Sequence, residues 1–449
     1  MKPTKETLTG HEGLGNVMRT SLLGIAKKAS NQKTYRFRNL YGMLNEEFLL
    51  ESWDFIRKGA AYGVDRVSAS DYERNLRDNI RGLVQRLKEK RYHAKLIRRK
   101  WIPKGEGKFR PLGIPAVEDK LLQIAVTRIL EAIYEQDFLR CSYGYRPNTG
   151  AHEAVKKLTL KLQFGRYENV VEADIKGFFD NLNHDWMLKM LEKRIDDGAF
   201  LRLIKKWLKA GIMEEDGQVV HPATGSPQGG IVSPILSNIY LHYVLDLWFH
   251  RVIKESCKGE ACLIRYADDF VCAFEKEGEA DVFHLKLSER LKKFGLELSP
   301  EKTRIIPFGR SRPAGESRFD FLGFEFRWGR DRKGIARVQK RTSRKKLKQS
   351  TARMTEWCQK NRNLSRRKFF QLLNAKLRGY YNYYGVIGNS RSLSTFFLRA
   401  IRMAHKWLNR GNQRRCLNWH GLKEAMKEFQ IQLPRITEQR RVSGVAYAV

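Results

Sequence analysis

Two carboxylates stand side by side in an apolar run, Leu263-Ile-Arg-Tyr-Ala-Asp268-Asp269-Phe-Val-Cys-Ala-Phe274. Like charges repel and burial favours the neutral form, so such a pair is costly inside a strand. The flanking residues read as two strands, 261–266 and 270–274, that meet at the acids. A metal cation offsets the repulsion there. If a second carboxylate strand stands opposite, the arrangement suits two-metal phosphoryl chemistry.

The chain supplies that second strand. Residues 169–175 (Asn-Val-Val-Glu-Ala-Asp-Ile) carry Asp174 at their end. Asp174 stands beside Asp268 if the two strands are neighbours in one sheet, and the three acids can then hold two Mg²⁺. Any one of these residues alone reads equally well as a turn or cap. A triphosphate also needs cations. Residues 98–115 read as a hairpin around Gly105-Glu106-Gly107, with Lys104 and Arg110 flanking the turn. Arg110 can fork onto phosphate oxygens, while Lys104 acts as a point charge. Pro111 and Pro115 suit an edge strand. Gln228 with Gly229 and Gly230 opens a loop where backbone can approach a ligand, although the glycines alone also fit a helix-start turn. Phe179, five residues after Asp174, can press on a nucleotide sugar; by itself it reads as core.

The 449 residues carry 86 basic and 49 acidic side chains, a net charge of +37. That surplus points to a polyanion, nucleic acid ahead of membrane. Residues 327–380 hold 19 Lys or Arg against two acids, a net of +17. This segment reads as a phosphate-backbone track and not as a solvated linker. No apolar run approaches the length of a membrane span, and the N-terminus lacks a signal-peptide core. The six cysteines (Cys141, Cys257, Cys262, Cys272, Cys358, Cys416) form no Cys-x-x-Cys pair. They are expected to be reduced structural thiols in a cytosolic protein.

Periodicity predicts helices over 45–58, 71–90, 118–135, 184–194, 199–210, 231–250 and 281–294, and further strands over 303–308 and 320–326. The order resembles a split βαβ sheet with acids at one edge. From about Arg341 the chain reads as helical, a separate C-terminal module.

Seven segments together resemble the reverse transcriptase/maturases encoded by bacterial group II introns. They are Ile-Pro-Lys…Arg-Pro-Leu-Gly-Ile-Pro (102–115), Ser-Tyr-Gly-Tyr-Arg-Pro (142–147), Ala-Asp-Ile-Lys-Gly-Phe-Phe-Asp (173–180), Ser-Pro-Gln-Gly-Gly-Ile-Val-Ser-Pro (226–234), Arg-Tyr-Ala-Asp-Asp-Phe (265–270), Leu-Ser-Pro-Glu-Lys-Thr (298–303) and Phe-Leu-Gly-Phe (321–324). Arg-Gly-Tyr-Tyr-Asn-Tyr-Tyr (378–384) resembles the family's maturase or thumb region.

The resemblance implies an α/β multidomain fold. A right-hand polymerase with fingers and a palm is followed by an all-helical thumb. The implied domains are an N-terminal extension (1–50), fingers and palm (51–330), a basic linker (331–345), a thumb/maturase domain (346–404) and a basic tail (405–449) that can touch DNA. Asp174, Asp268 and Asp269 would be catalytic and hold two Mg²⁺. Lys104, Arg110, Ile175, Phe179, Gln228 and Lys302 would bind substrate, with Phe179 as the deoxyribose gate and Lys302 on the primer side. Phe321, Leu322 and Gly323 would grip the primer. Arg341, Arg344, Lys345, Lys346, Lys348, Arg366, Arg367, Lys368, Arg378, Tyr380 and Tyr381 would bind intron RNA.

The implied activity is RNA-directed DNA synthesis by nucleotidyl transfer, with splicing assistance and retrohoming. The implied partners are group II intron RNA, an RNA template with a DNA primer, dNTPs and target DNA. The protein would act as a monomer or homodimer on the RNA, in the bacterial cytoplasm and at the nucleoid during retrohoming. Many members end in an HNH endonuclease with cysteine pairs. That pattern is missing here, so second-strand cleavage by this chain is not expected. Three alternatives stay open on sequence: a splicing factor with a decayed polymerase, an RNA-directed RNA polymerase (opposed by Phe179), and a reverse transcriptase without an intron.

Overall fold

The computed structural model describes residues 12–105, 108–226, 229–310, 317–331, 333–410 and 418–438. The chain divides into two compact units. The first comprises the described part of Met1–Ala151 with Ala173–Phe270 and Asp281–Arg304. The second comprises His152–Glu172, Val271–Ala280 and the described part of Ile305–Val449.

The first unit is built around the helix Val117–Tyr134, which is buried over most of its circumference. A helix apolar nearly all round belongs inside a core. Leu121, Leu122, Ala125, Val126, Ile129, Leu130 and Ile133 are all fully buried. A hairpin of Ile97–Gly105 and Lys108–Ile114 forms a four-stranded sheet with Ile212–Met213 and Val219–Val220. Lys108–Ile114 is an edge strand, which suits Pro111, since it has no N–H to donate. Of the N-terminal extension expected over 1–50, the part from Ala29 does not stand apart. It is sewn into this unit: Phe37 donates its N–H to the Arg194 carbonyl (2.7 Å), and Arg194 donates to the Ala29 carbonyl (3.0 Å).

The helix expected over 231–250 begins as a regular α-helix over Ser233–Leu241. It then widens into π-type turns over His242–Asp246 and Phe249–Ile253. The helix expected over 45–58 is the shorter Glu46–Trp53, capped by Asn45, whose side chain accepts from the Phe48 N–H.

In the second unit, residues of Asp269–Phe274, Asn169–Ala173 and Arg304–Pro307 lie side by side in that order. A three-stranded antiparallel sheet of Arg318–Phe321, Phe324–Arg330 and Ala336–Thr342 follows. Two expectations are corrected here. Residues 320–326 are not one strand but a hairpin turning at Leu322 and Gly323, both left-handed (φ 50° and 80°). Residues 331–345 are not a linker, because Ala336–Thr342 pairs along its whole length with Phe324–Arg330.

Among the described residues the unit also holds the helix Ala151–Phe164 and, after this sheet, the helices Arg344–Lys360, Arg366–Tyr384, Ser390–Leu408 and Trp419–Glu428. Ser343 caps Arg344–Lys360 and Ser365 caps Arg366–Tyr384, as their side chains accept from the N–H of Lys346 and Lys368. Leu422, Ala425 and Ile431 pack in the same core as Phe369, Leu377 and Phe396. The boundary expected at 404–405 therefore does not hold, because residues 405–410 and 418–431 share the core of the helical module. Among the described residues no helix is long and apolar enough to cross a membrane.

Candidate active site

Asp174 follows directly on the strand Asn169–Ala173. Its position is fixed by backbone pairing on both sides. Lys176 donates to the Glu297 carbonyl (2.9 Å), Ser299 donates to the Asp174 carbonyl (2.8 Å), and Ile175 bridges antiparallel to Leu298. That bridge also brings up Lys302, whose Nζ donates to Asp174 Oδ2 at 2.7 Å.

Asp268 sits in the two-residue turn between Ala261–Tyr266 and Asp269–Phe274, after Ala267 in a left-handed conformation (φ 56°). The segment 141–144 lies against this turn. Tyr143 donates to the Arg265 carbonyl (2.9 Å), and Arg265 donates to the Cys141 carbonyl (2.7 Å). Gly144 lies so close that a Cβ there would stand 2.4 Å from the Ala267 nitrogen, so only glycine fits.

The electrostatics tie these parts together. Burial pushes the Asp268 carboxyl up, and the Asp174 charge pushes it further, while Arg110 and Lys302 pull it back. The Lys302 ammonium is raised by its hydrogen bond to Asp174, with Asp269 and Asp268 adding to that effect. Asp174, Asp268, Asp269, Lys302 and Arg110 thus share one neighbourhood. Asp269 and Arg110 are both exposed. Tyr145, which sequence reasoning passed over, belongs to it too. It is 48% exposed with φ 56°, and its phenol is raised by burial and by Asp268. A left-handed tyrosine is uncommon, and such positions cluster at functional sites.

Other expected residues fall elsewhere. Ile175 is buried (2% exposed), so its side chain is core and only its backbone is available to a substrate. Phe179 is also largely buried, edge-on to Phe178, and its carbonyl accepts from the Ser226 N–H. Gly229 is left-handed, and a Cβ there would stand 2.5 Å from the Gly113 carbonyl oxygen; the close approach in that loop is to the hairpin. Gln228 and the side chain of Lys104 lie outside the described residues, although the Lys104 backbone falls at a register shift between Pro103 and Gly105.

In the second unit, Phe321 is buried and the Leu322–Gly323 turn is held by two hydrogen bonds. Tyr383 Oη donates to the Leu322 carbonyl (2.9 Å) and Ser343 N–H to the Gly323 carbonyl (2.9 Å). Of the expected RNA contacts, Arg344, Lys345, Lys346, Lys348, Arg366, Arg367, Lys368 and Arg378 are exposed. Arg341 is instead engaged with the buried Glu325 at 2.6 Å. Tyr380 and Tyr381 are corrected outright: they are 9% and 0% exposed and belong to the helical core.

The family described as reverse transcriptase (RNA-dependent DNA polymerase) matches residues 102–326. The group II intron-encoded protein LtrA of Lactococcus lactis is 33% identical over 421 residues, covering 73% of this chain and 68% of LtrA. This chain belongs to the group II intron-encoded reverse transcriptases. Protein YkfC of Escherichia coli is 32% identical, covering 74% of this chain and 94% of YkfC. Among solved structures, a Candida albicans telomerase in complex with a telomeric RNA fragment aligns at TM-score 0.45 and 15% identity, over 77% of this chain and 64% of its own. The protein is accordingly an RNA-directed DNA polymerase of mixed α/β architecture.

Among the described residues of this reverse transcriptase, no group of three or more His, Cys, Asp and Glu stands close enough to close on one ion. The donor chemistry nevertheless fits hard cations, which take oxygen ligands. Asp268 is destabilised by burial and by Asp174, and Asp174 has already recruited an ammonium.

Proposed function

We propose that Asp174, Asp268 and Asp269 form the nucleotidyl-transfer site of a right-hand polymerase that copies intron RNA into DNA. The first unit would supply most of the fingers and palm, and the helices from Arg344 the thumb and maturase module. The observation that carries this reading is the convergence of the three acids with Arg110 and Lys302 in one neighbourhood.

The three carboxylates would hold two Mg²⁺, which supply charge neutralisation for the triphosphate and acidify the primer 3′-hydroxyl. Arg110 would fork onto triphosphate oxygens, with Lys104 beside it. Lys302 would neutralise Asp174 and stand on the primer side. The edge of Phe179, with Gln228, would limit the room for a 2′-hydroxyl. Phe321, Leu322 and Gly323 would contact the primer backbone. The exposed bases Lys346, Lys348, Arg367, Lys368 and Arg378 would bind intron RNA, supporting splicing and the retrohoming step that engages target DNA. The site of action would be the bacterial cytoplasm and nucleoid, with one or two copies on the RNA.

The test is primer extension on an RNA template with dNTPs and Mg²⁺, beside splicing of the cognate intron. Wild type should extend with dNTPs and far less with rNTPs, and Asp268→Asn should lose extension while retaining splicing. Extension that survives Asp268→Asn would refute the catalytic assignment, and efficient rNTP use would refute the sugar gate.

A further inference from the structure

Arg265 lies three residues before Asp268 and is completely buried. A guanidinium has five N–H donors, and all five are used. Nε and Nη2 form a fork on Asp246, at 2.8 Å to Oδ1 and 2.6 Å to Oδ2. Nη2 also donates to Ser142 Oγ (2.7 Å). Nη1 donates to Asn238 Oδ1 (3.0 Å) and to the Ala267 carbonyl (3.0 Å). The Asn238 amide donates in turn to the Gly144 carbonyl (2.7 Å). The last of the guanidinium's bonds grips the left-handed residue that turns the chain into Asp268.

The helix that faces Arg265 is shaped for this contact. Asn238 and Asp246 are eight residues apart, and on a regular α-helix they would point about 80° away from each other. The π-type turn over His242–Asp246 lowers the rotation per residue and brings both onto the side of Arg265. Such π-turns occur frequently at functional sites. A buried ion pair adds little to stability over an apolar replacement, so a geometric role is the better account of this one.

We propose that Arg265, locked by Asp246, Asn238 and Ser142, is a positioning residue that fixes the Ala267–Asp268 turn so that Asp268 and Asp269 keep the separation from Asp174 that divalent cations require. The inference rests on the reading of these three acids as cation ligands. It goes further by making the fork behind the turn a determinant of cation affinity, without contact to cation or substrate.

The test uses the full-length chain and variants Arg265→Lys, Ser142→Ala and Asp268→Asn. Terbium(III) binding is followed by luminescence sensitised by Tyr145 and Tyr266, with Mg²⁺ as competitor, and primer extension gives kcat and KM for dNTP. Loss of a group that orients ligands typically weakens metal affinity about 10- to 100-fold, and Arg265→Lys is expected in that range. Its kcat should fall with little change in KM for dNTP. Ser142→Ala, which removes one acceptor only, should shift both quantities in the same direction by less. If Arg265→Lys does not fold, Ser142→Ala decides. Folded variants with wild-type Mg²⁺ competition would overturn the proposal, as would a kcat loss that follows the melting temperature alone. Unchanged terbium binding in Asp268→Asn would instead overturn the reading of the acids, and the clamp with it.

Discussion

The tyrosines of the Arg-Gly-Tyr-Tyr-Asn-Tyr-Tyr segment give the sharpest contrast between a surface and a core role. Tyr380 stacks on Phe396 with ring centroids 3.6 Å apart and lies 4.7 Å from the Tyr384 ring. Tyr381 is fully buried, and its hydroxyl donates to the Gln432 carbonyl at 3.2 Å. Truncating a buried aromatic to alanine costs about 3–5 kcal/mol, and each aromatic pair lost adds roughly 0.5–1.5 kcal/mol. For a unit of this size each kcal/mol lowers the melting temperature by about 2–4 °C. Tyr380→Ala, which loses two such pairs, should therefore cost about 4–8 kcal/mol and melt roughly 8–32 °C lower. Tyr381→Phe, which loses one hydrogen bond, should cost only about 1 kcal/mol. Neither change should alter intron RNA affinity measured well below the melting transition. Arg378→Ala, exposed on the same helix, should do the opposite. It should leave stability within about 0.5 kcal/mol and reduce the salt dependence of RNA binding by roughly one phosphate contact. The assay is thermal melting by circular dichroism beside filter binding across a salt series. A Tyr380→Ala protein that melts like wild type but binds RNA weakly would refute the core assignment.

Two further outcomes follow from the first unit. Lys302 and Asp174 form a pair open to solvent on the lysine side, 61% and 22% accessible, and exposed pairs are worth about 0.2–1 kcal/mol. Lys302→Met should tighten cation binding to the substrate-free protein by no more than about fivefold, since no ammonium then competes for Asp174; weaker cation binding in a titration would exclude that competition. Burial raises the Asp119 carboxyl from 3.8 to about 6, against the hydrogen bonds from the Tyr92 hydroxyl and the Lys95 N–H. A folded-state value above the unfolded one favours the protonated form, so this contribution is complete below about pH 4 and is lost as pH rises through about 6. The loss is roughly 3 kcal/mol. Asp119→Asn should flatten the stability profile between pH 4 and 6 in urea titrations, and an unchanged slope would rule out Asp119 as its source.

The acidic centre was legible because its signal is local. Two adjacent carboxylates among strand formers leave few placements, and Asp174 ends a second apolar strand. The hairpin was legible for a similar reason, because Pro111 excludes a central strand. The Leu322–Gly323 turn was not. Leucine rarely adopts φ near 50°, and what holds it there is the Tyr383 hydroxyl and the Ser343 N–H, partners distant in sequence. The burial of Tyr380 and Tyr381 does have a local signal. Phe370, Leu373, Leu377, Tyr380, Tyr381 and Tyr384 recur at spacings of three and four, the stripe of a helix facing a core, although basic residues flank it.

Arg265 shows the harder limit. Arg265 stands in an apolar strand three residues before Asp268, yet its side chain forks onto Asp246. Nothing local marks Asp246 as that partner, because a regular helix would aim it aside from Asn238, and only the π-type turn restores the alignment. The irregularity and the buried charge explain one another. An unpaired arginine in this core would cost several kcal/mol, and a regular helix would leave it unpaired. The turn that carries the acids is thus specified by residues 19, 27 and 123 positions away from Arg265.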